Sequence, residues 1–236
     1  MDDRFEVFGT QHVSALVFFA LGVVIVVWLG RRVRGTEREE WVNRAFAIGI
    51  VCCTVPLQIL QFLPGEWSLR TSLPFQVCDL AWIVAVHALW TRSPLTATIT
   101  YLWGIVLTTQ AMITPDLVTP FPEPRFLMFW AMHILVVWAS FYLVPGLRIL
   151  PTWRTYAVTV AATLAWAASV MVFNALVGTN YGYLNGKPAS GSALDLLPPW
   201  PWYVAVQVAL VAGVWALMIW PFVRSSRSAA ERLSGS

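Results

Sequence analysis

The chain has 236 residues, of which 58% are hydrophobic and only 11% are charged, whereas a soluble domain is usually about 25% charged. The mean hydropathy of +0.67 agrees with this composition. Together these values exclude an ordinary soluble domain and predict a polytopic membrane protein. The net charge is only +3, and the basic residues form no stripe, so no nucleic-acid partner is expected.

Seven apolar runs approach the length of about 20 residues that a membrane-spanning helix needs. They are Val13–Gly30, Trp41–Leu63, Leu73–Trp90, Leu95–Ile113, Phe126–Val144, Tyr156–Val177 and Trp202–Val223. The sequence therefore predicts an all-α fold in which residues 1–223 form one domain of seven transmembrane helices. The N-terminal segment MDDRFEVFGTQH is acidic, unlike a cleaved signal, so the first run is expected to be a retained helix. The polar tail over 224–236 is predicted to be disordered.

Basic residues are distributed unevenly between the two sides of this arrangement. One side holds Arg31, Arg32, Arg34, Arg38, Arg44, Arg92, Arg148, Arg154, Arg224, Arg227 and Arg232. The other side holds only Arg4, Arg70, Arg125 and Lys187. Because short basic loops face the cytoplasm, the N-terminus is predicted outside and the C-terminus in the cytoplasm.

Polar side chains gather in the outer half of the predicted bundle. If the third helix begins at Leu73, with Pro74 in its first turn, Cys78 and Asp79 lie roughly 8 to 9 Å inside it. His133 lies roughly 10 Å inside the fifth helix, at the same level. The helix ends on this side also carry His12, Gln76, Gln110 and Asn174.

The longest outer connection, residues 178–201, adds further polar groups, namely Asn180, Tyr183, Asn185 and Lys187. A connection of this length usually has a function of its own or is disordered. Its aromatic and leucine residues favour an ordered cap. We therefore expect a polar cavity in the outer half of the bundle, covered by this connection.

Structural roles remain open for each of these residues. An aspartate within a span is costly unless it is paired or hydrated, which favours a function for Asp79, but it also suits helix capping or an interhelical hydrogen bond. Cys78 is equally typical of a small buried hydrophobe, and His133 of a satisfied buried histidine. No short-range ligand spacing indicates a metal site, and no cofactor is expected. The only lysine lies in a loop, which excludes a retinal protein.

Four segments carry a resemblance to a known family: FGTQH before helix one, LPFQVCDL at helix three, a histidine in helix five, and GTNYGYLNGKPASGSALDLLPPWPWY before helix seven. Together they resemble the YwaF-type bacterial integral membrane proteins, which are related to the eukaryotic transmembrane protein 164 family. The resemblance implies a multi-pass protein of the bacterial plasma membrane. The eukaryotic relatives are described as acyltransferases that move fatty acyl chains onto lysophospholipids by means of a cysteine and a histidine. By motif and order, these two residues correspond to Cys78 and His133.

This chemistry assigns expected roles to the polar cluster. Cys78 would be the nucleophile and His133 its base, while Asp79 would orient the histidine. Cys78 and Asp79 point about 100° apart on a helix, so one of them is expected to face elsewhere. The expected substrate contacts are His12, Gln76, Gln110, Asn174, Asn180, Tyr183, Asn185 and Lys187.

Two functions stay open at this point. One is a lipid acyltransferase or acyl hydrolase that acts on membrane lipids through a Cys/His acyl-enzyme site. The other is a non-enzymatic transporter or a lipid-binding scaffold, although an odd helix number without an inverted repeat argues against an ordinary secondary transporter. The oligomeric state is not predicted.

Overall fold

The computed structural model describes residues 5–117, 119–188 and 192–234, and over these ranges it contains helices and no strand. The all-α prediction is confirmed. A π-helical segment, Trp103–Thr108, joins the fourth helix to the fifth, and a second one, Tyr142–Gly146, extends the sixth. The α-helices are α1 (Thr10–Val33), α2 (Arg38–Leu60), α3 (Val77–Thr91), α4 (Pro94–Leu102), α5 (Thr109–Ile113), α6 (Pro124–Phe141), α7 (Trp153–Val177) and α8 (Trp202–Ser234).

Five of these helical segments are long and apolar enough to cross a membrane. They are Thr10–Val33, Arg38–Leu60, Pro124–Gly146, Trp153–Val177 and Trp202–Arg224. Two predicted spans differ: α3 is an apolar helix of only 15 residues, and the run from α4 to α5 contains the π segment. The backbone of α8 is helical to Ser234, beyond the predicted end of the span at Val223 and into the segment predicted to be disordered. Residues 235 and 236 lie outside the described ranges.

Consecutive helical segments place their ends on two faces of the bundle. We call one of them the loop face, formed by the starts of α1, α3, α6 and α8 and the ends of α2, α5 and α7. On this face the Phe121 N–H donates to Gln11 Oε1 at 3.0 Å. On the opposite face Arg92 donates to Glu39 Oε1 at 3.1 Å. Helix direction therefore alternates along the chain.

The exterior of the bundle is apolar between these faces. Large side chains such as Leu21, Leu176 and Leu217 are exposed, and an exposed apolar surface of this kind indicates contact with lipid. Exposed tryptophans lie close to the ends of the apolar segments on both faces: Trp67, Trp200 and Trp202 on the loop face, and Trp41, Trp90, Trp153 and Trp220 on the other. This placement is typical of membrane interfaces.

The start of α3 differs from the sequence prediction, which began this helix at Leu73. The observed helix begins at Val77, and the preceding residues 73–76 are not helical. The Phe75 carbonyl accepts a hydrogen bond of 3.1 Å from Trp166 Nε1. Trp166 precedes the end of α7 by eleven residues (166 to 177), or about 16 Å. The start of α3 is therefore recessed into the bundle, and Cys78 lies deeper than the predicted 8 to 9 Å.

The recessed, non-helical segment 73–76 needs hydrogen-bond partners for its backbone. Backbone N–H and C=O groups at membrane depth need partners from the protein, since lipid offers none. Here the Leu73 N–H donates to the Tyr181 hydroxyl at 3.0 Å, and Trp166 satisfies the Phe75 carbonyl. Both partners lie about a hundred residues away in the chain. The shortness of α3 thus follows from contacts with α7 and with the connection after it.

α6 and the α4–α5 run approach each other closely at Gly104. A Cβ at this position would lie 2.1 Å from Ser140 Oγ and 3.2 Å from Ser140 Cβ. We expect Gly104→Ala to lower the free energy of unfolding by about 1–3 kcal/mol, because the core is overpacked. Ser140→Ala should recover part of that loss in the double variant. Thermal unfolding of the four proteins in detergent tests this coupling, and strictly additive effects would contradict it.

Candidate functional site

Asn174 anchors the connection that follows α7. Its side chain is buried, and its Nδ2 group donates to the Tyr181 carbonyl and to Asn185 Oδ1, each at 2.9 Å. Its Oδ1 accepts from the Tyr181 N–H at 2.9 Å and from Thr179 Oγ1 at 2.8 Å. An amide has two N–H donors and two acceptor lone pairs, so all of its capacity is used. The structure gives Asn174 a role in shaping the loop, and the predicted contact with substrate gains no support.

Two further asparagines complete this scaffold. Asn180 Nδ2 donates to the Gly186 carbonyl at 2.8 Å, and Asn180 Oδ1 accepts from the Asn185 N–H at 3.1 Å. Asn185 Nδ2 donates to the Met171 carbonyl at 3.2 Å. The NxxxxN spacing therefore folds the segment back on itself and ties it to α7.

Two other predicted contacts lie apart from the polar cluster. Lys187 Nζ donates to the Leu197 carbonyl at 2.8 Å and stands 5.8 Å from the centre of the Tyr203 ring. Gln110 is exposed, and its Nε2 donates to Thr114 Oγ1 at 3.0 Å. Both side chains therefore bond other groups of the protein, and their predicted contact with substrate gains no support.

His12 is fully buried near the start of α1. Its Nδ1 accepts from the Phe8 N–H, and its Nε2 lies 2.8 Å from the Met112 carbonyl, so Nε2 carries the proton. Both ring nitrogens are thus engaged. His12 links the chain before α1 to the end of α5, and its predicted contact with substrate also gains no support.

The segment 181–184 packs against the recessed start of α3. The fully buried Tyr181 donates its hydroxyl to the Leu69 carbonyl at 2.8 Å, and the Gly182 N–H donates to Gln76 Oε1 at 2.8 Å. Gly182 has a φ of +68°, and a Cβ there would lie 2.8 Å from the Trp166 ring. Glycine is therefore required both by the backbone conformation and by the close approach.

Above this contact the loop face contains an open polar cavity of about 270 Å³. Three of the predicted substrate contacts line it, namely Gln76, Asn180 and Tyr183. Arg70 and Asp116 also line it, and neither was predicted to have this role. The signal available in the sequence was that each is a charged residue in a short connection beside the polar helix ends.

Tyr183 is tied to Asp116 at one side of the cavity. Its hydroxyl donates to Asp116 Oδ2 at 2.7 Å. Burial, together with the neighbouring carboxylate, raises the pKa of Tyr183 above its usual value. The phenol therefore stays protonated, and it acts as a donor at neutral pH.

Cys78 is the second residue of α3, and its side chain is partly buried. The thiol lies against the side chain of Thr108 and close to Asp79, and it is within electrostatic range of Tyr183. Thr108 is fully buried, and its Oγ1 has no hydrogen-bond partner of normal geometry in the described ranges. It ends the π segment, and π segments are frequent at functional sites. Thr108 was not predicted as a site residue, because nothing in the sequence distinguishes it from the other threonines of its helix.

His133 is buried in α6, with its ring stacked on Phe129 at 4.2 Å between centroids. Its Nδ1 lies 2.5 Å from the Phe129 carbonyl, so Nδ1 carries the proton. Nε2 is then an acceptor, and it makes no hydrogen bond within the described part of the chain. In this tautomer Nε2 is the ring nitrogen that can accept a proton.

The packing of α6 indicates the level of His133. Gly104 lies against Val136 and Ser140 of α6, and Met112 shares a buried cluster with Trp130. These two runs are antiparallel, so the intervening Thr108 lies at the level of His133. The recessed start of α3 brings Cys78 to Thr108 as well. The Cys78 thiol thus contacts Thr108, and His133 lies at the same level of the bundle, with no hydrogen bond between Cys78 and His133 in the described ranges.

Asp79 has a different observed contact from the one that its expected catalytic role requires. Its Oδ2 accepts from the Gln76 N–H at 3.0 Å, which caps the start of α3. No hydrogen bond connects Asp79 to His133 among the residues that the structure describes. The observed arrangement is the helix-capping role that the sequence left open.

The fold and the site together define a multi-pass helical membrane protein with a polar site beneath one long connection. A model of the TMEM164 family matches residues 7–219. The chain therefore belongs to the TMEM164 family, as the sequence resemblance predicted. No curated protein matches the chain, and no solved structure matches it.

Proposed function

We propose that this protein is a membrane lipid acyltransferase that carries the acyl chain on Cys78. The observation that supports this most is that the Cys78 thiol, which contacts Thr108 at the recessed start of α3, lies at the same level of the bundle as His133. A thiol, a neutral histidine with an open Nε2 and a buried hydroxyl are the groups that thioester chemistry uses. Membership of the TMEM164 family agrees with a substrate in the lipid phase.

The start of α3 supplies hydrogen-bond donors for negative charge that develops on a substrate. The first N–H groups of a helix lack intrahelical partners and form the positive end of its dipole. The N–H of Cys78 itself lies close to its own sulfur. Gln76 Oε1 is held by Gly182, which leaves the Nε2 donors without a partner among the described residues. These groups would stabilise the oxyanion of an ester under attack. The Asp79 carboxylate beside the thiol opposes a free thiolate, so we propose that the proton leaves the sulfur during the attack itself.

The proposed reaction has two halves. Nε2 of His133 takes the thiol proton as the sulfur attacks the ester carbonyl carbon of a donor lipid. The carbon–oxygen bond then breaks, the departing alkoxide receives the proton from His133, and a thioester remains on Cys78. In the second half an acceptor hydroxyl gives its proton to His133 and attacks the thioester carbonyl carbon. The carbon–sulfur bond breaks, and His133 returns the proton to the sulfur, which restores the thiol.

An apolar groove supports a position for the acyl chain. It runs between α7 and α8 from Leu184, below the loop, to Trp215. Leu107, the neighbour of Thr108, also lines it. Cys78 packs against the same buried cluster as Leu107 and Trp166 of the groove lining, and we assign the groove to the hydrocarbon chain of the donor.

The proposal includes the membrane topology. Seven crossings, made by α1, α2, α3, the α4–α5 run, α6, α7 and α8, would place the loop face outside the plasma membrane, because eleven of fifteen basic residues belong to the other side. α3 crosses with 15 residues because its first part is replaced by the recessed segment. A reporter fused to the C-terminus is expected to read as cytoplasmic, and an external signal would contradict this orientation.

The cellular test compares the lipid acyl profiles of cells that carry wild type, His133→Ala, His87→Ala or an empty vector at equal protein levels. His87 is the control, since it is exposed on α3 and bonds Thr96. We expect the His133 variant to match the vector, because it lacks the base, and the His87 variant to match wild type. General-base loss lowers rates by about 10²–10⁴-fold. A wild-type profile equal to that of the vector would instead favour a transporter or scaffold.

A further inference from the structure

The polar cavity on the loop face contains two opposite charges that do not neutralise each other. Arg70 and Asp116 both line it, yet no salt bridge joins them in the ranges that the structure describes. The Arg70 guanidinium makes no hydrogen bond to any described residue. Asp116 uses Oδ2 to accept from Tyr183, which leaves its other oxygen open. A cation and an anion thus face the same open cavity from separate positions.

We propose that this cavity binds a zwitterionic phosphate headgroup, with the phosphate at Arg70 and the amine at Asp116. A guanidinium presents a planar fork of donors that matches phosphate oxygens. A carboxylate at the other side would pair with a primary or quaternary amine. The neutral side chains of Thr71 and Asn180 complete the lining with groups that tolerate either charge.

The arrangement discriminates between headgroups through both charges. An anionic headgroup without an amine gains the contact with Arg70 but leaves the Asp116 carboxylate unpaired and close to its phosphate. A purely cationic ligand gains the contact with Asp116 but is repelled by the Arg70 guanidinium. Specificity of this kind comes from the repulsive element as much as from the attractive one. The cavity should therefore prefer an amine-bearing phospholipid over an anionic one with the same chains.

The position of the cavity connects it with Cys78. Gln76, two residues before the thiol, lines the cavity, and so does Tyr183, which is within electrostatic range of the sulfur. A headgroup held there would place the glycerol esters of the same molecule near the start of α3. This inference rests on the proposed function for the lipid as substrate, whereas the binding itself is measurable without any turnover.

The experiment uses the full chain with Cys78→Ala, purified in nanodiscs, so that no acyl-enzyme forms. Native mass spectrometry would compare the retention of phosphatidylethanolamine and phosphatidylglycerol with identical chains. The test variants are Arg70→Gln and Asp116→Asn, and Arg70→Lys serves as a second variant that keeps the charge. Matched controls are Arg125→Gln and Glu123→Gln, which remove exposed charges from the same face outside the cavity lining. Thermal unfolding would confirm that each variant is folded.

The expected result is a preference of the parent protein for phosphatidylethanolamine. Arg70→Gln should weaken retention of both lipids about tenfold, equivalent to one strong charge-assisted contact. Asp116→Asn should reduce the retention of phosphatidylethanolamine alone and so abolish the preference, while Arg70→Lys and both controls keep it. Equal retention of the two lipids by the parent, or an unchanged preference in Asp116→Asn, would overturn the proposal.

A second experiment with a soluble compound distinguishes a lipid headgroup from a free phosphate compound as the ligand of the cavity. Glycerophosphoethanolamine is expected to compete weakly with the lipid, and only when Arg70 is present, because it has the headgroup but no chains. If the soluble compound binds and the lipid does not, the cavity takes a free phosphate compound and the lipid assignment is wrong. Loss of acyl transfer on Cys78 would leave these binding results unchanged, so the two proposals fail separately.

Discussion

Cys78→Ser is expected to lower the rate of acyl transfer by purified protein at least about a thousandfold, as removal of a covalent nucleophile does elsewhere. A hydroxyl in place of the thiol is a far weaker nucleophile at neutral pH, and His133 alone does not compensate. The rate is measured as the appearance of a labelled acyl chain on an added lysophospholipid.

Cys52 and Cys53 provide the matched controls for this prediction. Both are free thiols exposed on α2, away from the recessed start of α3. Serine at either position should leave the rate unchanged, since neither thiol contacts the site. A full rate in Cys78→Ser, or an equal loss in the Cys52 variant, would remove the basis for a thioester mechanism at this position.

The second large effect is expected from Asn174→Leu. Leucine has a similar size but leaves the Tyr181 N–H, the Tyr181 carbonyl and the Thr179 hydroxyl without the partners that they have in the wild type. Each buried group that loses its partner costs about 1–3 kcal/mol, so the free energy of unfolding should fall by about 3 kcal/mol or more. Unfolding in detergent measures this loss.

Hydrogen exchange locates the effect of the Asn174 substitution. Amides of residues 178–188 should exchange faster in Asn174→Leu, while those of α6 stay protected. Ser169→Ala is the control, because Ser169 is exposed on the same helix and bonds only the Ala165 carbonyl. Wild-type stability and protection in Asn174→Leu would show that this amide does not hold the loop.

The sequence predicted the helical bundle well where a single segment decides its own structure. Long apolar runs such as the one that became α1 need no partner to form a helix in lipid. The start of α3 was wrong by four residues, because its backbone is satisfied by Trp166 and Tyr181. Contacts between residues so far apart in the chain leave no mark in local hydropathy. The sequence likewise contains no local signal that predicts the π segment at Trp103–Thr108.

In the candidate site too, the sequence predicted the residue types but not the contacts between distant segments. The sequence identified Gln76, Asn180 and Tyr183, and the structure gathers them in one cavity. The sequence does not distinguish amides that face a cavity from amides that satisfy backbone groups, so Asn174 was predicted to contact substrate together with Gln76 and Asn180. Composition and spacing describe what a side chain is capable of donating or accepting. Which partner it finds is decided by the packing of α7 against the connection that follows it.

The most direct measurement of the central claim is mass spectrometry of the protein itself during turnover. Protein incubated with a phospholipid that carries a labelled acyl chain, then quenched in acid, should show the acyl mass on the peptide that contains Cys78. Hydroxylamine should release it, as expected for a thioester. Steady acyl transfer at the wild-type rate, with no acyl mass on that peptide and none lost to hydroxylamine, would contradict the account.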